Sequence, residues 1–281
     1  MHTPRISASS YSNTAPLIWS FLYGSNHGKV EIILDNAPAR SAELMSQGRV
    51  DAALVPVFAY QEIDDIRLIP GVCVGAKERV RSVCLVTKGD DLKDVRSVSL
   101  DISSRTSAAL TKIIFREFLG FEPEWRDAEP NIDRMLEESD AALLIGDPAL
   151  SIAECGMRSA ESGTVASTLS TPHSAIRKCD LAEVWRSFTG LGFVFAMWMT
   201  RAAKSPIDFA AARDEGLEHV EEIISNYQPE IALERDEMRR YLTENISYNV
   251  DESMQAGLEL YYRLAEKHGL IERNKPLEFA T

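Results

Sequence analysis

The chain has 281 residues, and its 30 lysines and arginines against 43 aspartates and glutamates give a formal net charge of −13. Hydrophobic residues make up 45% of the sequence and charged residues 26%, as in ordinary globular proteins. This acidity argues against partners such as nucleic acid or an anionic membrane. An anionic substrate would therefore need a local, preorganised binding site.

The cysteines and histidines form no recognisable metal or redox motif. Cys73, Cys84, Cys155 and Cys179 make no CxxC pair, and the five histidines show no HxH or HExxH spacing. The motifs GxSxG, GxGxxG after a strand and GxxxxGK[ST] are also absent, so we expect no metal, no nucleotide cofactor and no nucleophilic serine. Unpaired cysteines, with no signal-peptide pattern and no apolar run of membrane-spanning length, predict a cytoplasmic protein.

Strands and helices alternate over the first half of the chain. In chain order the patterns predict a strand near 5–8, a helix from near Pro16, strand 30–34, helix 38–47, strand 51–57, strand 81–87, strand 95–100, a helix from 103–107 to Gly120, helix 132–138 and strand 140–145. Two segments, SAELMSQGRVDAALVPV and NIDRMLEESDAALLIGD, repeat one order of helix, turn and buried strand. This succession implies parallel pairing and two similar α/β units.

The last third of the chain predicts one returning strand and then helices. The apolar stretch GLGFVFAMWM suits a buried strand, which we place at 193–200. A helix is predicted to begin with Ser205 as its cap, Pro206 at its first position and Asp208 in its acidic first turn. Two more are predicted, over 231–245 and from an Asp251 cap to Gly269. Two chain crossings between the units imply a hinged ligand cleft. The predicted domains are a discontinuous first lobe, 1–88 plus 197–281, and a second lobe, 89–196.

Two polar segments are candidate ligand sites. Ser103-Ser104-Arg105-Thr106-Ser107 opens a helix, where free N–H groups and the helix dipole favour an anion and Arg105 can bind a carboxylate. The alternative is an ordinary serine cap with a solvated arginine. The segment SSYSNTAPL follows the first strand, where open α/β sheets place ligands; otherwise it is a polar turn that caps the next helix.

Two further positions have both a functional and a structural interpretation. Ser82 begins a strand near the first crossing and faces either the cleft or water. Asp147, in Gly146-Asp147-Pro148 after a buried strand, either binds a ligand hydroxyl or caps a turn.

With these residues in view, the chain resembles the chorismate dehydratases of the futalosine route to menaquinone. The resemblance lies in SYSNTAPL (10–17), GRVDAALVPV (48–57), IPGVCV and VRSVCL (69–74, 80–85), LDISSRTSAAL (100–110), DAALLIGDPAL (140–150) and DLAEVWRSFTGLGFVFAMW (180–198). It departs from the family at Ala39, where a serine is usual, and at Gly192, where the family has proline. The second departure is expected only to loosen the return strand.

The resemblance implies an α/β, two-lobed, periplasmic-binding-protein-like fold of type II, with a helical C-terminal segment. It also implies a lyase that dehydrates chorismate to 3-[(1-carboxyvinyl)oxy]benzoate without a cofactor. Asn13 and Ser82 are the implied catalytic pair. The predicted substrate-binding residues are Ser10, Tyr11, Thr14, Pro56, Ser103, Ser104, Arg105, Thr106, Ser107, Gly146 and Asp147.

The expected partner is a small dianionic substrate, with no nucleic acid, membrane or obligatory protein partner. Because Asn, Ser and Thr are poor bases at neutral pH, we expect the substrate's enolpyruvyl carboxylate to remove the ring proton. Asp147 or another carboxylate is the alternative base. A cyclase acting on dehypoxanthine futalosine and a non-catalytic solute-binding protein are the alternative functions.

Overall fold

The computed structural model describes residues 3–89, 91–152, 176–205, 207–231 and 233–281. Its strands are β1 (Arg5–Ser9), β2 (Glu31–Asp35), β3 (Ala52–Pro56), β4 (Arg67–Ala76), β5 (Val83–Thr87), β6 (Ser97–Asp101), β7 (Glu124–Ala128), β8 (Ala141–Ile145), β9 (Arg177–Asp180) and β10 (Phe193–Thr200). Its helices are α1 (Ala15–Leu22), α2 (Pro38–Ser46), α3 (Phe58–Glu62), α4 (Arg105–Ile113), α5 (Ile132–Glu138), α6 (Gly146–Leu150), α7 (Leu181–Thr189), α8 (Phe209–Glu218), α9 (Val220–Tyr227), α10 (Arg235–Arg240) and α11 (Glu252–Lys267).

The strands form two five-stranded sheets that follow one scheme. The first has the order β2-β1-β3-β10-β4, with β1 parallel to β2 and β3 and with β10 antiparallel to β3 and β4. The second has the order β7-β6-β8-β5-β9, with β6 parallel to β7 and β8 and with β5 antiparallel to β8 and β9. The two Asp-Ala-Ala-Leu segments supply β3 and β8, which occupy matching places, so the predicted repeat of one unit is confirmed.

The chain crosses between the sheets twice. The first crossing follows β4 and the second precedes β10. The sequence prediction kept residues 1–88 in the first lobe, but β5 pairs with β8 and β9 in the second sheet. Similarly, β10 pairs with the first sheet from Phe193 onward. We therefore propose that the lobes divide near Arg81 and near Leu191.

The return strand β10 is buried because it lies between two other strands. All but one of its eight residues are buried, as the apolar run predicts. Gly192, at its entrance, donates its N–H to Ser253 Oγ at 3.0 Å, and its carbonyl accepts from Trp185 Nε1 at 3.3 Å. A proline here would lack that donor, so the glycine adds a contact between β10 and α11.

The C-terminal helices are more broken than predicted. The helix α8 begins later than predicted: its cap is Asp208, which accepts from the N–H of Ala211 at 2.9 Å, and not Ser205. Asp251 caps α11 as predicted, by accepting from the N–H of Met254 at 2.8 Å. The chain breaks between α8 and α9 at His219, where one helix was expected. The expected helix 231–245 consists of α10 and a π-helical turn, Tyr241–Asn245. Pro206 and Cys155 lie outside the described residues.

The sequence analysis did not predict several elements, namely β4, β7, β9, α3, α6 and α7. β4 was missed because Pro70-Gly71 resembles a turn; Gly71 has a φ of +68° inside the strand. No helix within the described ranges has the length and apolar content that crossing a membrane would need.

Candidate active site

A cavity of about 60 Å³ lies between the two sheets and is lined from both. The polar part of its lining consists of Ser9, Tyr11, Asn13, Thr14, Ser103, Ser104, Thr106, Ser107 and Gly146, and the apolar part of Pro38, Leu54, Pro56, Val74, Val83, Ile145, Phe195 and Ala196. No lysine, arginine or histidine is among these described lining residues. An anion here would therefore be bound by hydroxyl, amide and main-chain N–H groups.

The turn after β1 presents Asn13 to the cavity. The hydroxyl of Thr14 donates to the carbonyls of Ser9 at 2.6 Å and Tyr11 at 2.8 Å, which ties the turn to the end of the strand. Ser12, Asn13 and Thr14 are all buried, and Asn13 is 7% exposed. A buried amide held in this way is preorganised as a hydrogen-bond donor.

The start of α4 forms the opposite wall. Asp101 Oδ1 accepts from the N–H of Ser103 at 2.9 Å and from its hydroxyl at 2.5 Å. Ser104 is the N-cap residue, and among the described residues its side chain makes no capping hydrogen bond. Because the first N–H groups of a helix have no intrahelical partner, this wall suits an anion. The predicted anion site therefore lies at the cavity.

No titratable side chain of the described cavity lining is deprotonated at neutral pH, and the nearby carboxylates stand outside the lining. Burial and the nearby Asp101 carboxylate raise the pKa of Tyr11 to about 12. Burial also raises the pKa of Asp101 above its usual range, although hydrogen bonds from Ser103 oppose the effect. Neither carboxylate discussed here lines the cavity: Asp101 and Asp147 lie behind it. The lining residues thus include no group that is a strong base at neutral pH.

Polar contacts join the lobes around the cavity. The N–H of Phe58 donates to Thr106 Oγ1 at 3.2 Å, and the Tyr261 hydroxyl donates to the Thr106 carbonyl at 3.1 Å. Arg105 Nη1 pairs with Glu62 at 2.6 Å on the outside of the cleft. These contacts hold α4 of the second lobe against α3 and α11.

The structure brings most of the predicted residues together. Tyr11, Asn13, Thr14, Pro56, Ser103, Ser104, Thr106, Ser107 and Gly146 line the cavity, whereas Ser10, Ser82, Arg105 and Asp147 do not.

Each of the four outlying residues has another contact. Ser10 bonds to Asn36 at 3.2 Å, Arg105 pairs with Glu62 as described, and Asp147 accepts from Ser12. Ser82 is fully buried, and its hydroxyl donates to the Val80 carbonyl at 3.4 Å. Their roles toward a ligand stay predictions.

Sequence reasoning missed the apolar wall and Tyr241. Leu54 and Phe195 come from strands that were interpreted only as core, and Val74 comes from β4, which was not predicted. Tyr241 lies far from the lining residues in sequence. Among the described residues, no group of three His, Cys, Asp or Glu side chains could hold a metal ion.

Comparison with known proteins identifies a family and a relative of this chain. Residues 4–267 match a protein family described as menaquinone biosynthesis. The chain is 30% identical over 250 residues, 85% of its length and 87% of the relative's, to a chorismate dehydratase from Thermus thermophilus.

Solved structures share the fold at low sequence identity. A protein from Archaeoglobus fulgidus has a TM-score of 0.63 at 18% identity, covering 95% of this chain and 98% of its own. The ligand-binding component of an ABC-type import system from Staphylococcus aureus has a TM-score of 0.63 at 14% identity, covering 100% of this chain and 97% of its own. The periplasmic aliphatic sulphonate binding protein of Escherichia coli has a TM-score of 0.60 at 13% identity, covering 99% of this chain and 94% of its own. The expected two-lobed, periplasmic-binding-protein-like fold is confirmed.

Proposed function

Because this chain belongs to the family of menaquinone-biosynthesis proteins, we propose that it is a chorismate dehydratase, a carbon–oxygen lyase. The relationship to a chorismate dehydratase favours this activity over the cyclase and over solute binding. The site adds independent support: its polar lining is made of hydroxyl, amide and N–H donors, which suits a dianionic substrate.

The reaction is an elimination of water that leaves an aromatic ring. The ring carbon bearing the ether loses its proton, the neighbouring carbon loses its hydroxyl, and the electron pair of the C–H bond becomes the new double bond. The proton and the hydroxyl leave as water, so no oxidant or reductant is consumed. Aromatisation drives the reaction, and the protein has to supply orientation and charge stabilisation.

The base in this proposal belongs to the substrate. The observation that carries this step is that the lining residues include no carboxylate and no histidine. The enolpyruvyl carboxylate is attached through the ether oxygen of the ring carbon that loses the proton, so it lies close to that carbon. Held against the N-terminus of α4, the substrate would present that carboxylate intramolecularly, and such reactions have large effective concentrations.

Asn13 and Ser82 are the proposed catalytic pair. Asn13 lies on the cavity, and its amide donates to the departing hydroxyl. Ser82 immediately precedes the lining residue Val83, and Gly146 donates its N–H to the Ser82 carbonyl at 2.7 Å. Pockets for small ligands usually enclose about 300–1,000 Å³, so substrate binding widens this cavity of about 60 Å³. In the widened cavity, we propose, the Ser82 hydroxyl turns from the Val80 carbonyl to a substrate carboxylate.

Incubation of the purified protein with chorismate tests the proposed activity. We expect 3-[(1-carboxyvinyl)oxy]benzoate as the product, identified by chromatography and mass spectrometry, and no turnover of dehypoxanthine futalosine. The variant Asn13→Asp should fold but lose nearly all activity, because a carboxylate there repels the substrate. Asn36→Asp, outside the cavity, is the matched control. Unchanged chorismate with the wild-type protein would reject the proposed function.

A further inference from the structure

Tyr241 brings a buried phenol from the C-terminal segment to the back of the site. It begins the π-helical turn after α10 and is fully buried. Among the described residues, no hydrogen bond of ordinary geometry ends on its hydroxyl. Its polar neighbours are Ser82, Asn13 and Ser12, whose hydrogen bonding lowers the pKa of Tyr241 against the larger raising effect of burial. The phenol thus lies beside both proposed catalytic residues.

A second contact places this part of the C-terminal segment against the first crossing. Glu237 lies four residues before Tyr241, so the two share a helix face, and its carboxylate is 3.8 Å from Arg81 Nη2. Arg81 immediately precedes Ser82 and has a φ of +62°, an unusual conformation for a residue with a side chain. Asp180 holds that conformation by accepting from the N–H of Arg81 at 2.5 Å. Tyr241 therefore faces a rigid part of the crossing.

A buried hydroxyl without a good hydrogen bond costs free energy that phenylalanine would avoid. A phenol that contacts two catalytic residues can offset that cost by orienting them. The amide of Asn13 is the group that needs orienting, because its oxygen and nitrogen exchange places when the side chain flips. A hydrogen-bond donor on the side away from the cavity favours the orientation in which the amide oxygen of Asn13 faces that donor.

We propose that Tyr241 is a positioning residue whose O–H donates to Asn13 Oδ1. This hydrogen bond directs Asn13 Nδ2 into the cavity, toward the departing hydroxyl. This role rests on the proposed dehydratase function. It assigns a part in the reaction to the C-terminal segment, which sequence analysis treated only as helical packing.

The test compares Tyr241→Phe with Tyr248→Phe. Tyr248 is a matched control, because it is also buried, belongs to the same segment and has a hydroxyl without a hydrogen bond among the described residues. Burial raises the pKa of Tyr248 most, Tyr241 and Cys73 raise it further, and no residue of the cavity lining contributes to this shift. We expect Tyr241→Phe to lower kcat at least tenfold with KM within about threefold, and Tyr248→Phe to stay within about twofold of wild type.

Two further measurements separate positioning from a structural role. Tyr241→Phe in an Asn13→Ala background should cost almost nothing further in kcat, because the phenol acts through Asn13. Crystal structures should show Asn13 reoriented in Tyr241→Phe and unchanged in Tyr248→Phe. A wild-type kcat in Tyr241→Phe, additive losses, or an unmoved Asn13 would overturn the proposal. The crystallographic result does not depend on turnover, so it decides the Tyr241 contact even where wild-type protein leaves chorismate unchanged.

Discussion

Ser12 and Asp147 join the two lobes across the cleft. The Ser12 hydroxyl donates to Asp147 Oδ1 at 2.5 Å, and the Ser12 N–H lies 3.2 and 3.1 Å from the two carboxylate oxygens. Burial raises the pKa of Asp147, and the hydrogen bonds from Ser12 oppose that rise. The Asp147 carboxylate therefore serves as a contact between the lobes, and it already accepts hydrogen bonds from Ser12.

The substitution Asp147→Asn should therefore lower kcat/KM by about 10- to 100-fold while leaving measurable turnover. Hydrogen bonds to a charged group contribute about 1.5–3 kcal/mol, and that loss corresponds to this range. Ser12→Ala is the matched variant, since it removes the hydroxyl contact from the other side and leaves the main-chain N–H in place. Similar losses in steady-state kinetics are expected. Complete inactivity of Asp147→Asn beside a mild effect of Ser12→Ala would instead make Asp147 the base.

Substitutions of Arg105 and of its partner Glu62 test whether Arg105 binds a substrate carboxylate, as the sequence predicts. Both side chains are partly exposed, and an exposed ion pair contributes about 0.2–1 kcal/mol. If Arg105 acts only through this pair, Arg105→Ala and Glu62→Ala should each change KM for chorismate by less than about fivefold. A KM increase of more than tenfold confined to Arg105→Ala would show that the guanidinium binds the substrate.

Gly146 permits close contact between the lobes at Tyr11. Its φ is +65°, and a Cβ on this residue would lie 2.8 Å from the Tyr11 ring. Gly146→Ala should destabilise the protein by more than the roughly 1–2 kcal/mol of a left-handed alanine and should lower kcat. Gly120→Ala is the control, because Gly120 has a φ of +79° and nothing within 4 Å of an added Cβ. Equal losses in urea unfolding would refute a role for the Tyr11 contact.

Glu221 predicts a pH dependence of stability. Hydrogen bonds from Arg239 and Arg235 lower the pKa of Glu221 from 4.5 to about 2. A carboxyl with a lower pKa when folded stabilises the protein above the unfolded value, and that contribution is lost as pH falls from 4.5 toward 2. Glu221→Gln should thus lower Tm at pH 7 more than at pH 3. The exposed Glu244→Gln serves as the control, and a Tm difference independent of pH would contradict the assignment.

The local sequence predicted the elements that local forces determine. The two helix–strand repeats, the cap at Asp251 and the buried strand β10 depend on residues close together in the chain. The start of α4 was predicted as an anion site from its own residues, and four of them line the cavity. What the sequence did not reveal were contacts between distant segments, such as Arg105 with Glu62 and Ser12 with Asp147. Such contacts depend on how the lobes and the C-terminal helices pack, and the hydrophobic periodicity of the sequence does not predict that packing.

One pair of saturation curves tests most directly whether the protein dehydrates chorismate with the substrate's own carboxylate as the base. Chorismate is compared with an analogue that lacks the enolpyruvyl carboxylate, and kcat is measured at saturation for both. General bases contribute about 10²–10⁴-fold to rates, so we predict that the analogue binds but turns over at least about 100-fold more slowly. An analogue kcat equal to that of chorismate would contradict the account and return the base to the protein.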